Sequence, residues 1–136
     1  MGMDSVPIRI EARILVVDDE NLVQQFLREI LERSGARVHV ADSGSEAFRL
    51  LDVAHAHGRP YEIVITDLTL GDGPDGIGVA KRARDRFAAT RVVACTGHCE
   101  DRIFSAPGDF GFDGCIAKPF MLQEIVDLVR ALATGR

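Results

Sequence analysis

Short apolar runs alternate with helical stripes along the whole chain. "ARILVVDD" (12–19) carries a brief, unbroken apolar run, the pattern of a strand buried on both faces. Behind it, Val23, Phe26, Leu27, Ile30 and Leu31 recur at helical spacing, and Gly35 stops the helix. "RVHVA" (37–41) reads as a second strand. Ala47, Leu50, Leu51 and Ala54 mark a second helix that ends near Gly58–Arg59–Pro60. "EIVITD" (62–67) is a third strand, and "LTLGDGPDG" (68–76) is a loop by its glycines and proline. Ala80, Ala83 and Phe87 face inward from a third helix. "RVVACT" (91–96) is a fourth strand and "GCIA" (114–117) a fifth. Between them "EDRIFSA" (100–106) offers a turn or two of helix before Pro107–Gly108. Pro119 opens a last helix, where its missing N–H is harmless. Leu122, Ile125, Val126, Val129 and Leu132 form the buried stripe of that helix.

Five strands alternating with five helical segments predict an α/β fold, a parallel sheet covered on both faces. Right-handed crossovers and this size favour the flavodoxin-like (βα)5 solution, doubly wound, with strand order 2-1-3-4-5 in three α/β/α layers. Any site then lies at the carboxyl ends of strands 1 and 3. A chain of 136 residues has the length of one domain. That domain is expected over residues 12–134, with 1–11 ("MGMDSVPIRIE") a leader or expression remnant and no output domain after the last helix.

The bulk numbers narrow the function classes. A hydrophobic share of 46% reads as globular, and a formal charge of −5 argues against wrapping a nucleic-acid backbone. No apolar run approaches the ~20 residues of a membrane span, and nothing resembles a signal peptide. Cys95, Cys99 and Cys115 are odd in number and lack CxxC spacing, which suits a reducing compartment. A cytoplasmic location is expected.

The chemistry gathers at the strand ends. Asp18 and Asp19 end strand 1, Asp67 strand 3, Thr96 strand 4 and Lys118 strand 5. The predicted topology brings all five to one edge of the sheet. Three carboxylates there hold one another's pKa values up unless a cation joins them. Hard oxygen ligands with few protein contributors suit Mg²⁺. Lys118 adds a fixed positive charge and Thr96 a hydroxyl donor. The set fits phosphoryl transfer to a carboxylate nucleophile.

"ILVVDDE", "IVITDLTL", "VVACTG" and "IAKPF" occur in that order and at matching spacing. On these pieces the chain resembles the receiver domain of two-component response regulators, over about residues 12–134. The resemblance implies that Asp67 is the phosphoacceptor and forms an acyl phosphate. It implies Mg²⁺ held by Asp19 and Asp67 directly, by Asp18 largely through water, and by the backbone carbonyl of Thr69. Thr96 and Lys118 would contact the phosphoryl oxygens. A cis bond between Lys118 and Pro119 is also implied, at a cost of only ~0.5–1 kcal/mol for an X–Pro bond. The resemblance places Thr69 and His98 beside the path of the attacking water, where they would tune the lifetime of the phosphoryl group; the alternative for His98 is a simply solvated side chain. The donor would be a phosphohistidine of a histidine kinase or a phosphotransfer protein. The recipient of the signal would be a downstream protein target, with no nucleic acid or membrane involved and the chain a monomer or weak dimer. Such a protein is a signalling phosphoacceptor that catalyses only its own phosphoryl transfer and slow autodephosphorylation.

Two positions depart from the family pattern. Cys115 stands where the family often has Tyr or Phe, so the usual coupling of Thr96 to an aromatic switch is not expected. Cys115 itself reads as a small edge-strand residue. Pro107–Gly108 interrupt the helical segment between strands 4 and 5, where proline costs ~3 kcal/mol. That segment is expected to be short, displaced or mobile, which would alter the family's usual output surface.

Other features read more plainly. "GDGPDG" is turn chemistry, since Asp72 and Asp75 would repel phosphate. Lys81, Arg82, Arg84 and Arg86 read as a solvated face. His55 and His57 lack a third ligand, and Cys95 packs in its strand. A phosphatase of the haloacid dehalogenase type needs a second Asp two residues after its nucleophile, and position 69 is Thr. A receiver fold used purely for binding is disfavoured by the intact five-residue site.

Overall fold

The computed structural model describes residues 10–134 apart from 88, 98–102 and 104. β1 (Arg13–Val17) is the axis of the molecule, with Ile14 to Val17 all at 1% exposure or less. A strand apolar on both faces is stable only with helices on each side and strands on each edge. β2 (Arg37–Ala41) and β3 (Ile63–Asp67) take those edges, and β4 (Arg91–Thr96) and β5 (Gly114–Ala117) extend the sheet. All pairs are parallel, in the predicted order β2-β1-β3-β4-β5. The register sets Val17 beside Thr66, Asp67 beside Cys95 and Thr96 beside Ala117. The carboxyl ends therefore finish nearly level, and the order reverses between β1 and β3, opening a crevice there.

Among the described residues four α-helices cover the sheet: α1 (Asn21–Arg33), α2 (Gly44–Ala56), α3 (Gly76–Arg86) and α4 (Leu122–Thr134). Alternation along β1 feeds two cores. Ile14 and Val16 pack with Leu27, Leu31, Ile125 and Val129 of α1 and α4. Leu15 and Val17 pack with Leu51, Val79 and Ala83 of α2 and α3. Side-chain oxygens start two of the helices: Ser43 accepts from the Glu46 N–H and Asp75 from the Gly78 N–H.

Two glycines lock the β3–α3 loop. A Cβ on Gly44 would lie 2.1 Å from the carbonyl oxygen of Pro74, and one on Gly76 would lie 2.2 Å from that of Asp67. The loop thus presses on the start of α2 and on the last residue of β3.

Several boundaries differ from the sequence pattern. Ile10 is buried in the α1/α4 core and its N–H donates to the Ser34 carbonyl at 2.6 Å, so packing begins inside the segment read as a leader. The last helix starts at Leu122, three residues after Pro119, and Leu122 is 48% exposed rather than part of the buried stripe. Phe26 is likewise 42% exposed and rests on Phe120, with ring centroids 5.7 Å apart. Pro107–Phe110 form one 3-10 turn, so no α-helix runs through Pro107. Ile103 and Ser105 before it are helical, and residues 100–102 and 104 of that predicted turn lie outside the described residues. The basic run on α3 is not simply solvated. Arg82 and Arg86 pair with Asp52 of α2, Arg84 pairs with Asp113, and Arg82 also lies over the Phe48 ring. None of the described helices is long and apolar enough to cross a membrane.

Candidate functional site

Asp18 follows β1 directly and continues its ladder, its N–H donating to the Ala41 carbonyl at 3.1 Å. Its carboxylate is 2% exposed. The turn after it is tied from two sides. The Glu20 N–H donates to Asp18 Oδ1 at 2.8 Å, and Gln24 Nε2 donates to the Asp18 carbonyl at 2.5 Å. Gln24 also donates to Asp42 Oδ1 at 2.8 Å, linking β1 to the loop after β2.

Asp67 is the last residue of β3 and is nearly buried. Its Oδ1 accepts the Thr69 N–H at 3.3 Å, and its carbonyl accepts the Thr66 hydroxyl at 2.9 Å. Thr96, buried, ends β4. Its carbonyl accepts the Lys118 N–H at 2.7 Å, which carries the β4–β5 ladder one residue past β5. The Lys118–Pro119 bond is cis, as the resemblance implied.

The Lys118 ammonium closes the site. Its Nζ donates to Asp18 Oδ2 at 2.8 Å, to Asp67 Oδ2 at 3.1 Å and to Glu20 Oε1 at 3.2 Å. Burial pulls the Lys118 pKa down, but hydrogen bonds and charge from Asp18 and Asp67 more than offset this, and the net shift is upward. Burial pushes Asp18 up, and its contacts with Lys118 and the Glu20 N–H reverse only part of that rise. Both values therefore end raised, for different reasons: burial dominates at Asp18, and the hydrogen bonds and charge of Asp18 and Asp67 outweigh burial at Lys118.

Oxygens of Asp18, Glu20 and Asp67 all lie within 4.8 Å of one another. An all-oxygen donor set with surplus negative charge fits a hard divalent cation. Asp19, expected as a ligand, sits exposed on the turn, and the cluster takes its third carboxylate from Glu20. Glu20 and Gln24 were missed by the sequence reading. Gln24 had a readable signal: it falls three before Leu27 and seven before Leu31, on the buried stripe of α1. Glu20 had none beyond following two acids.

The remaining expected residues are placed as follows. Thr69 is exposed beside Asp67, and His98 lies outside the described residues. Cys115 is half-buried against the α2/α3 core, level with Ala94. Cys95 points into the other core, and burial pushes its thiol up to about 12. Beside the Lys118 ammonium an apolar groove of about 410 Å³ runs along Leu22, Val23, Phe26, Pro119 and Phe120.

A family model described as the response regulator receiver domain matches residues 14–130. The chain belongs to that family. Among curated proteins it is 34% identical over 122 residues to the transcriptional regulatory protein ResD of Bacillus subtilis, covering 90% of this chain and 48% of ResD. It is 34% identical over 119 residues to the transcriptional regulatory protein SrrA of Staphylococcus aureus, covering 88% of this chain and 46% of SrrA. The chain thus spans about half the length of these curated relatives. Among solved structures, the non-phosphorylated HemR receiver domain of Leptospira biflexa superposes with a TM-score of 0.79 at 26% identity, covering 91% of this chain and 95% of that one. Receivers are the phosphoacceptors of two-component signalling, and they bind Mg²⁺ at an acidic pocket and work between kinases and effectors. The acidic cluster at the β1 and β3 ends of this receiver is suited to that ion.

Proposed function

We propose that this receiver accepts a phosphoryl group on Asp67 from a phosphohistidine of a histidine kinase or phosphotransfer protein. The observation that carries the proposal is the setting of Asp67: nearly buried at the sheet edge, with the Lys118 ammonium at 3.1 Å and the buried Asp18 sharing that ammonium. An Asp67 carboxylate oxygen attacks phosphorus, the P–N bond to the donor imidazole breaks, and the imidazole leaves with the electron pair. Lys118 turns from Asp67 to an oxygen of the transferred group, and the Thr96 hydroxyl serves a second. Asp18, Asp67 and the Thr69 carbonyl would hold Mg²⁺ together with Asp19, which is exposed on the turn while Glu20 stays on Lys118, and the ion would offset charge on the phosphoryl oxygens. Thr69, exposed two residues past Asp67, flanks the path of the water that slowly hydrolyses the acyl phosphate. The apolar groove beside Lys118 borders the mouth of the site, where a protein donor must come to reach Asp67.

The output is a change of protein partner. ResD and SrrA are named as transcriptional regulatory proteins, but the net charge of −5 in this chain favours a protein target over direct contact with nucleic acid. The cytoplasm is the compartment where kinase and receiver meet. The test is intact mass spectrometry after incubation with acetyl phosphate and MgCl₂. The wild type gains one phosphoryl group and Asp67→Asn gains none. An unmodified wild type under conditions that phosphorylate a control receiver overturns the proposal and favours a receiver fold used for binding alone.

A further inference from the structure

The Lys118 ammonium has three N–H donors, and its three acceptors among the described residues are carboxylates. Two of them, Asp18 and Asp67, are buried parts of the reacting centre. The third is different. The Glu20 side chain is 63% exposed and stands at the N-cap of α1, yet it makes no hydrogen bond to the helix start. An acidic side chain in that place ordinarily serves the unsatisfied N–H groups and the positive end of the helix. Here it reaches across 98 residues of sequence to the lysine.

The consequence appears when the site is loaded. A cation and a phosphoryl group both draw on the oxygens of Asp18 and Asp67, the two buried anchors of Lys118. A lysine on a flexible four-carbon stem then has many rotamers open to it. Glu20, on the solvent side, is the carboxylate that still reaches the ammonium. We propose that Glu20 is a positioning residue: it holds the Lys118 ammonium over the mouth of the site, ready to meet the incoming phosphoryl oxygen. The proposal rests on Asp67 being the phosphoacceptor, and it assigns Glu20 to the lysine and not to the cation.

The experiment measures the rate of phosphorylation by acetyl phosphate as a function of MgCl₂ in wild type, Glu20→Gln, Lys118→Met and the double variant. Glu20→Gln is expected to lower the maximal rate by about 2- to 5-fold, the upper part of the range for losing one partly solvated ion pair. The MgCl₂ concentration at half-maximal rate stays within about twofold, and Glu20→Gln makes no further change in the Lys118→Met background. In parallel, NMR of the ammonium group reads Lys118 directly, independent of turnover: its protons exchange faster with water in Glu20→Gln. A tenfold rise in the half-maximal MgCl₂ with the maximal rate kept would make Glu20 a cation ligand and overturn the proposal. So would a variant indistinguishable from wild type, or unchanged ammonium exchange. Absence of phosphorylation in the wild type is a separate result, which removes the phosphoacceptor reading itself.

Discussion

Lys118→Met is the perturbation whose size follows most directly from the structure. It keeps the length of the stem and deletes the charge. Asp18, with 2% of its side chain exposed, and Asp67, with 11%, then lose their shared counter-ion. Breaking a buried ion pair from one side costs about 3–5 kcal/mol. Water enters through the mouth of the site, so the lower end, about 3 kcal/mol, is expected. For a domain of this size that is a fall in Tm of roughly 10 °C. The pH dependence has a definite sign. The folded pKa of Asp18 already lies above its ordinary 3.8, and removal of the ammonium raises it further. A carboxyl with a raised folded pKa binds its proton more tightly when folded. The deficit is therefore full above the folded pKa and shrinks as pH falls through it toward 3.8. MgCl₂ should recover part of the loss by mass action, since a cation bound to the folded site replaces the missing charge. With no tryptophan in the chain, urea unfolding followed by far-UV circular dichroism is the assay, at pH 7 and pH 5, with and without MgCl₂. A deficit below about 1 kcal/mol at pH 7, or one that ignores both pH and MgCl₂, refutes the charge argument.

Two further substitution and labelling results are expected. Gly76→Ala places a Cβ 2.2 Å from the Asp67 carbonyl oxygen and 2.8 Å from the Leu68 Cα, both backbone atoms. Overpacking of this kind costs about 1–3 kcal/mol, so thermal unfolding should fall and the displaced Asp67 should be phosphorylated more slowly. Wild-type stability and rate in that variant would show the β3–α3 loop to be less constrained than its geometry indicates. Cys95 is buried and its thiol is pushed up to about 12, so iodoacetamide at pH 8 should spare it in the folded protein and label it in urea. Prompt labelling under native conditions, read by peptide mapping, contradicts the packing described.

The strands were legible because each is a short apolar run that stops at a polar residue, and a parallel sheet leaves little choice of order once helices alternate with strands. Asp67, Thr96 and Lys118 were legible for the same reason, since strand ends in such a sheet converge. What escaped depends on contacts between distant positions. Glu20 lies next to two acids that seemed sufficient, and only the fold brings Lys118 to it. Arg82 and Arg86 read as solvated until α2 and α3 packed side by side and set Asp52 within reach. Phe26 fits a helical stripe, yet it sits at the rim of the buried face, where spacing alone does not separate core from groove. Gln24 fell on the true buried face and was passed over because it is polar.

These misses share a physical basis with the site itself. Periodicity reports burial of apolar surface, and the polar residues here are placed by charge across the top of the sheet. Asp18 is buried at a cost its single ammonium does not fully offset, as its upward shift shows. A fold under selection for stability alone would replace it with a neutral residue, since uncompensated buried charge is a large penalty for a domain held together by about 5–15 kcal/mol. Surplus negative charge at the mouth of the crevice therefore makes sense as an unfilled demand for positive charge. A divalent ion held by these oxygens would meet that demand, and Lys118 meets part of it through its contacts with Asp18 and Asp67. On this argument Asp18→Asn should leave the protein more stable without MgCl₂ and less responsive to it. A loss of stability without MgCl₂, measured in the same urea titration, would mean that Asp18 contributes more to the fold through Lys118 than it costs by its burial.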